Sequence, residues 1–294
     1  MKTYRKTVSV YFVWAAVFII ISLAMVFWFA LTSEAGSFTL ENFMRLLSRR
    51  NWSTLIRSLR IALITTVLCL VFGYPFAYIA SRLNLKYQTT AMILIVIPMW
   101  MNFLLRTYSW VTILSRNGIL NSFLRNFGIQ GPDLLFTETA VILGMVYNFL
   151  PFMILPIYTV LEKMDQGLIE AARDLGADTR QIFRRVILPL SLPGILSGIS
   201  MVFIPALSTF EITALLGGNK TNLIGNVIEQ QFTVTGDWNY GSALSIMLMV
   251  FLVISLLFTR EEGAGNRSQG TPSVSEVMVQ PDIIQEFSKE EDHE

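Results

Sequence analysis

The chain has 294 residues, 53% of them hydrophobic and 15% charged, with a net charge of +1. Soluble domains carry about 25% charged residues, so composition argues against a soluble globular protein, and near-neutrality offers no basis for nucleic-acid binding. The lone histidine, His293, and lone cysteine, Cys69, argue against a His-based catalytic or zinc site and exclude an intrachain disulfide, so no catalytic or metal-ligating residue is assigned.

Apolar runs near 20 residues recur along the chain and predict an all-α integral membrane protein with six transmembrane helices. Lys2, Arg5 and Lys6 precede the first run, residues 8–31. A signal peptide shares that pattern, but the run is too long for one and lacks a clean cleavage site. Residues 1–54 therefore read as an anchor helix followed by an outer segment. In that segment Arg45, Arg49, Arg50, Arg57 and Arg60 interleave with Phe43, Leu46 and Leu47, which suggests an amphipathic helix lying in the interface.

The remaining spans are expected at 55–80, 89–114, 139–161, 186–216 and 241–258, within a core at 55–260. An N-terminus in the cytoplasm places 81–88, 162–185 and the C-terminal tail there as well. Those regions and the N-terminus hold 13 of the 22 Lys and Arg residues, in line with the positive-inside bias. The outer segments 115–138 and 217–240 contain Gly-rich turns, and 119–127 forms a short amphipathic stretch. They are either span connectors or a docking surface for an extracytoplasmic partner. Residues 261–294 are acidic and punctuated by Gly, Ser and Pro, so they read as a disordered cytoplasmic tail.

The segment 162–185 interrupts the apolar pattern with charge. Asp165 is a plausible N-cap for a helix through Glu170 to Leu175, and Gly176 supplies the left-handed residue that ends it. Asp178 and Gln181 form a capping-box pair that starts a second helix, and Pro189 stands where that helix enters the next span. A charged helix–Gly–helix elbow between two spans is suited to docking a soluble protein.

The spacing Glu170-Ala171-Ala172, three residues, Gly176, nine residues, Val186, one residue, Leu188-Pro189 resembles the cytoplasmic loop of bacterial ABC importer permeases of the binding-protein-dependent, MetI-like family. Val186 is the one conservative departure. The stretches SLRIALITTVLCLVFGYPFAY, LPFMILPIY and LIGNVIEQQF are similar to PotB-type permeases of spermidine/putrescine importers, with similarity over about residues 40–258. The resemblance implies a type I importer fold in a bacterial inner membrane, with both termini cytoplasmic. It implies a homologous second permease subunit, two ATPase subunits and an extracytoplasmic polyamine-binding protein. It also implies that Glu170, Ala171, Ala172, Arg173, Asp174, Gly176, Leu188 and Pro189 form the ATPase-coupling element. No G-x-x-x-x-G-K-[ST] occurs in the sequence, so ATP and Mg are expected on the partner ATPase and no cofactor in this chain. The rival readings are the same machinery importing another small solute, an integral-membrane enzyme and a self-sufficient channel.

Intramembrane charges and aromatics are the pathway candidates. Glu211 follows the Pro205-interrupted part of the fifth span, with Phe210 beside it as a cation–π surface. Trp100, Tyr108, Trp110, Tyr147 and Asn148 are further candidates. Arg106 would repel a polyamine, so it is expected to pair with a carboxylate or snorkel outward.

Overall fold

The computed structural model describes residues 2–264 except 34–35, 47, 128–132 and 219. Leu47, the Gly131-Pro132 turn and the acidic tail from residue 265 lie outside the described residues. The elements in chain order are α1 (Lys2–Leu31), α2 (Glu41–Leu46), α3 (Arg49–Ser81), α4 (Leu85–Val96), α5 (Phe103–Leu114), α6 (Ile119–Asn126) and α7 (Glu138–Glu162). They continue as α8 (Gln166–Asp174), α9 (Thr179–Ile182), α10 (Leu188–Ser208), α11 (Glu211–Gly217), α12 (Ile224–Gln230) and α13 (Trp238–Ala264). The first compact unit, Met1–Leu256, holds everything discussed below; the second shows only the last turns of α13 among the described residues.

Among the described residues, five helical segments are long and apolar enough to cross a membrane: Trp14–Leu31, Asn51–Ser81, Glu138–Glu162, Thr179–Ser208 and Trp238–Leu256. A sixth is obtained if α4 and α5 make one broken span. The expected straight helix over 89–114 is thus corrected, because Leu85–Trp100 and Phe103–Arg125 meet at 93°. The break has a local cause. Pro98 opens a 3-10 turn over Ile97–Trp100 and Met101 turns extended. Asn102 then restarts the helix, its side-chain oxygen accepting from the backbone N–H groups of Leu104 at 2.9 Å and Leu105 at 3.3 Å.

The fifth span differs as well. It ends at Ser208, where Thr209 is extended, and 211–217 forms the separate short helix α11. Phe210 and Glu211 therefore stand at a break beyond the span.

The core is a three-helix unit of α3, α7 and α10. Ile61 and Cys69 on α3, Met145, Met153 and Ile157 on α7, and Val202 and Leu207 on α10 are all 0% exposed. Lipid gives apolar side chains little reason to leave it, so association here rests on close van der Waals packing. Gly194 and Gly198, four residues apart on α10, provide that packing: a Cβ at Gly194 would lie 2.9 Å from the Pro156 carbonyl, and one at Gly198 would lie 2.7 Å from Met153 Sδ.

In the basic segment near residue 45, where an interfacial amphipathic helix is expected, α2 buries Leu46 and packs Phe43 on the core while Met44 is 69% exposed. Arg45 pairs with Asp237 at 3.2 Å and lies 4.5 Å over the Tyr240 ring. Arg60 donates to Glu138 at 2.7 Å. These contacts gather the ends of α3, α7 and α13 farthest from the 162–185 segment. Asn42 fastens α1 to the same end, donating to the carbonyls of Ala30 at 3.1 Å and Thr32 at 3.0 Å.

Candidate functional site

The elbow between α7 and α10 has the local structure its cap residues dictate. Asp165 Oδ1 accepts from the Gly167 N–H at 2.8 Å and opens α8. At the other end Gly176 has φ +80°. Its N–H donates to the Arg173 carbonyl at 2.8 Å, and the Ala177 N–H donates to the Ala172 carbonyl at 3.0 Å. That pair of bonds is the Schellman closure of a helix. Asp178 Oδ1 then accepts from the Gln181 N–H at 2.6 Å, and Gln181 Oε1 accepts from the Asp178 N–H at 3.2 Å, completing the capping box. A π-helical turn over Phe183–Ile187 leads into α10, where Leu188 N–H reaches back to the Phe183 carbonyl. Pro189 occupies the first turn of α10, where its missing N–H costs little.

The elbow has a buried side and a presented side. Ile169, Ile182 and Ile187 are buried and seat it on the bundle. Glu170, Ala171, Arg173, Asp174 and Gly176 are exposed, while Ala172 and Leu188 are half-buried. None of the charged groups on α8 or α9 makes an ion pair among the described residues. Leu175 is 88% exposed, and Leu168, seven residues earlier on the same face, is 48% exposed. The elbow thus presents an apolar ridge edged by charge, and a cavity of about 280 Å³ in its angle is lined by Ala172, Leu175, Gly176, Gln181 and Arg185. Sequence reasoning overlooked these two leucines; the signal was their spacing of two helical turns on an otherwise polar helix.

Side-chain contacts tie the elbow to α3. Phe183 meets Tyr74 and Tyr78 edge-on, with centroids at 5.9 and 5.8 Å. Arg82 lies 5.5 Å over the Tyr78 ring and donates to Gln166 Oε1 at 2.6 Å. Tyr74 and Ser191 share a hydroxyl hydrogen bond at 3.1 Å that adds α10. These packed rings and hydrogen bonds connect the elbow to both α3 and α10.

The expected pathway residues separate into three places. Trp110 on α5 and Tyr147 on α7 meet edge-on at 5.2 Å, and Arg106 approaches the same Tyr147 ring at 6.0 Å. Arg106 is buried and pairs with no carboxylate among the described residues: it donates to the Pro98 carbonyl at 2.9 Å, across the break between α4 and α5. Asn148 is buried and donates to the Gly144 carbonyl at 2.8 Å. Trp100 and Tyr108 are 82% and 57% exposed on the outside of the chain. Phe210 and Glu211 stand apart at the end of α10, with Glu211 Oε2 accepting from the Thr209 hydroxyl at 3.3 Å. Among the described residues no three His, Cys, Asp or Glu side chains gather to hold a metal ion.

Residues 70–260 match the family described as binding-protein-dependent transport system inner membrane component. The chain is 42% identical over 261 residues to the spermidine/putrescine transport system permease protein PotB of Haemophilus influenzae, covering 86% of this chain and 91% of that one. It is 45% identical over 222 residues to the PotB of Escherichia coli K12, covering 75% and 81%. The crystal structure of a bacterial alginate ABC transporter, solved in complex with alginate pentasaccharide-bound periplasmic protein, contains a chain of the same fold. Its TM-score is 0.72 at 19% identity, covering 92% of this chain and 96% of that one. A multi-pass helical bundle, the elbow between its spans and these similarities establish that the chain belongs to the binding-protein-dependent inner membrane component family, as a membrane-spanning permease subunit of an ABC importer.

Proposed function

We propose that this permease imports spermidine or putrescine and is driven by a separate ATPase docked on α8. The observation that carries the docking reading is the elbow: a charged, exposed helix with an apolar ridge, seated by buried isoleucines and linked through Phe183 to α3. The small side chains of Ala171 and Ala172 permit close approach of a partner groove. Glu170, Arg173 and Asp174 are available for polar contacts at its rim, and Leu175 projects as an anchor. Leu188 and Pro189 join the elbow to α10. Closure of two ATPase subunits would shift α8 and, through the Phe183–Tyr74–Tyr78 cluster, bias the spans between two arrangements of the pathway.

The absence of a Walker-type glycine-lysine motif from the sequence supports placing ATP hydrolysis on the partner. The names of the two curated relatives support polyamine cargo, and the periplasmic protein in the alginate transporter complex supports a soluble extracytoplasmic receptor. A homologous second permease completes the proposed pathway. With α8 facing the ATPases, both termini lie in the cytoplasm. Trp110, Tyr147, Phe210 and Glu211 are proposed to line the passage.

Two measurements test the reading. Gly176→Asp and Glu170→Lys are each expected to abolish uptake while the protein still reaches the membrane; unchanged uptake with normal ATPase co-purification would refute docking on α8. In proteoliposomes holding the complete complex and its binding protein, spermidine or putrescine is expected to stimulate ATP hydrolysis. Stimulation confined to an anion or a metal ion would remove the polyamine assignment.

A further inference from the structure

A cleft of about 480 Å³ opens between the end of α10, α12 and α13. Phe210, Ile228, Phe232, Leu248 and Met249 give it an apolar wall, and Glu229 is the single charged side chain among its described lining residues. Glu229 is half-buried and makes no ion pair with a described residue. The Thr233 hydroxyl lies 2.9 Å from Glu229 Oε1 and 2.8 Å from the Glu229 carbonyl, which share its one proton. A carboxylate partly removed from water and facing apolar surface is unfavourable until a cation joins it.

The backbone at Phe210 is held, and the ring of Phe232 is packed. The Phe210 carbonyl accepts from Nδ2 of the buried Asn226 at 3.0 Å, and the Thr213 hydroxyl lies between that carbonyl and Asn226 Oδ1. Phe232 meets Trp238 edge-on, with centroids 5.5 Å apart. The arrangement matches one ligand chemistry. The carboxylate accepts ammonium N–H groups, the ring faces attract the same cation, and the aliphatic wall covers methylenes. An anion would face Glu229, a sugar would find too few polar partners, and a metal ion would find one carboxylate.

We infer that this cleft binds one ammonium end and the adjoining methylene chain of an alkylamine cargo, with Glu229 as counter-ion and Phe210 and Phe232 as its aromatic walls. The inference rests on the polyamine reading above and names the subsite within it. It places the cargo carboxylate at Glu229, which lines this cleft, rather than at Glu211, which is not among its described lining residues.

The test compares wild-type, Glu229→Gln, Glu229→Asp and Phe232→Leu permeases in the complete complex with its binding protein, in proteoliposomes supplied with radiolabelled spermidine. Loss of a charge-assisted hydrogen bond predicts a KM for uptake raised at least about tenfold in Glu229→Gln. A smaller rise is expected in Glu229→Asp and Phe232→Leu. If Glu229→Gln does not assemble, the Glu229→Asp and Phe232→Leu complexes decide the matter, since each keeps the charge. KM values equal to wild type in the variants that assemble would overturn the subsite while leaving the polyamine reading intact. A wild-type complex that takes up no spermidine or putrescine would instead overturn the polyamine reading itself.

Discussion

Cys69 lies on α3 at 0% exposure, its Sγ 3.8 Å from the Val146 carbonyl of α7. It lies at the contact of two core helices and no solvent path to it is open, so a maleimide added to intact membranes is expected to leave it unlabelled and to label it after denaturation in SDS. Labelling of the native protein would show that α3 and α7 part there during the cycle. Gly176 illustrates the other way a single residue matters. No neighbouring atom would obstruct a Cβ at this position, so the requirement for glycine is its positive φ, which costs another residue about 1 kcal/mol. Both residues were conspicuous in the sequence, Cys69 as an isolated thiol in an apolar run and Gly176 as the helix stop. Glu229 was not, because it falls in a segment read as a span connector or a docking surface, with no charged residue singled out. Its importance arises when Phe210 and Leu248, from distant parts of the chain, are brought beside it.

At the scale of elements, the caps of α8 and α9 followed directly from Asp165, Gly176 and the Asp178–Gln181 pair, since each acts on backbone groups within a few residues. The breaks were harder to read. Pro98 and Pro205 mark them, but a proline alone does not say whether a membrane helix kinks, ends or bends by 93°. Asn102 and Thr209 determine the outcome through local hydrogen bonds and extended backbone. Phe183 offers a test of how the elements communicate. Phe183→Ala removes two edge-on ring contacts, each worth about 0.5–1.5 kcal/mol beyond area burial, yet leaves the exposed face of α8 intact. The variant is expected to co-purify with the ATPase and hydrolyse ATP while uptake falls several-fold. Loss of co-purification would mean that Phe183 shapes the docking face rather than relaying its movement.

At the scale of the whole molecule, the first span behaves unlike the others. Only 6% of Trp14–Leu31 is buried, against 12 of the 25 residues of α7, so α1 contributes little to the core; Asn42, the Phe29–Trp238 ring contact and the Asn239–Thr32 hydrogen bond hold its end. The core itself depends on Gly194 and Gly198, whose missing side chains let α10 approach α7. Two of the five arginines of the outer segment find carboxylate partners at this scale, Arg45 with Asp237 and Arg60 with Glu138. Such exposed pairs are worth about 1 kcal/mol or less, and their effect here is to hold helix ends in register.

The sequence alone determined the helical membrane class and the elbow with its caps, because hydropathy over 20 residues and capping chemistry over four are local properties. The family resemblance followed from the spacing of the elbow's residues. Tertiary structure alone decided that Arg106 bonds to the Pro98 carbonyl, that Phe183 packs between Tyr74 and Tyr78, and that Glu229 rather than Glu211 stands in an aromatic cleft. Each of these depends on which faces of distant helices meet, and in a bilayer that choice is made by close packing and polar pairing among helices of similar apolar character.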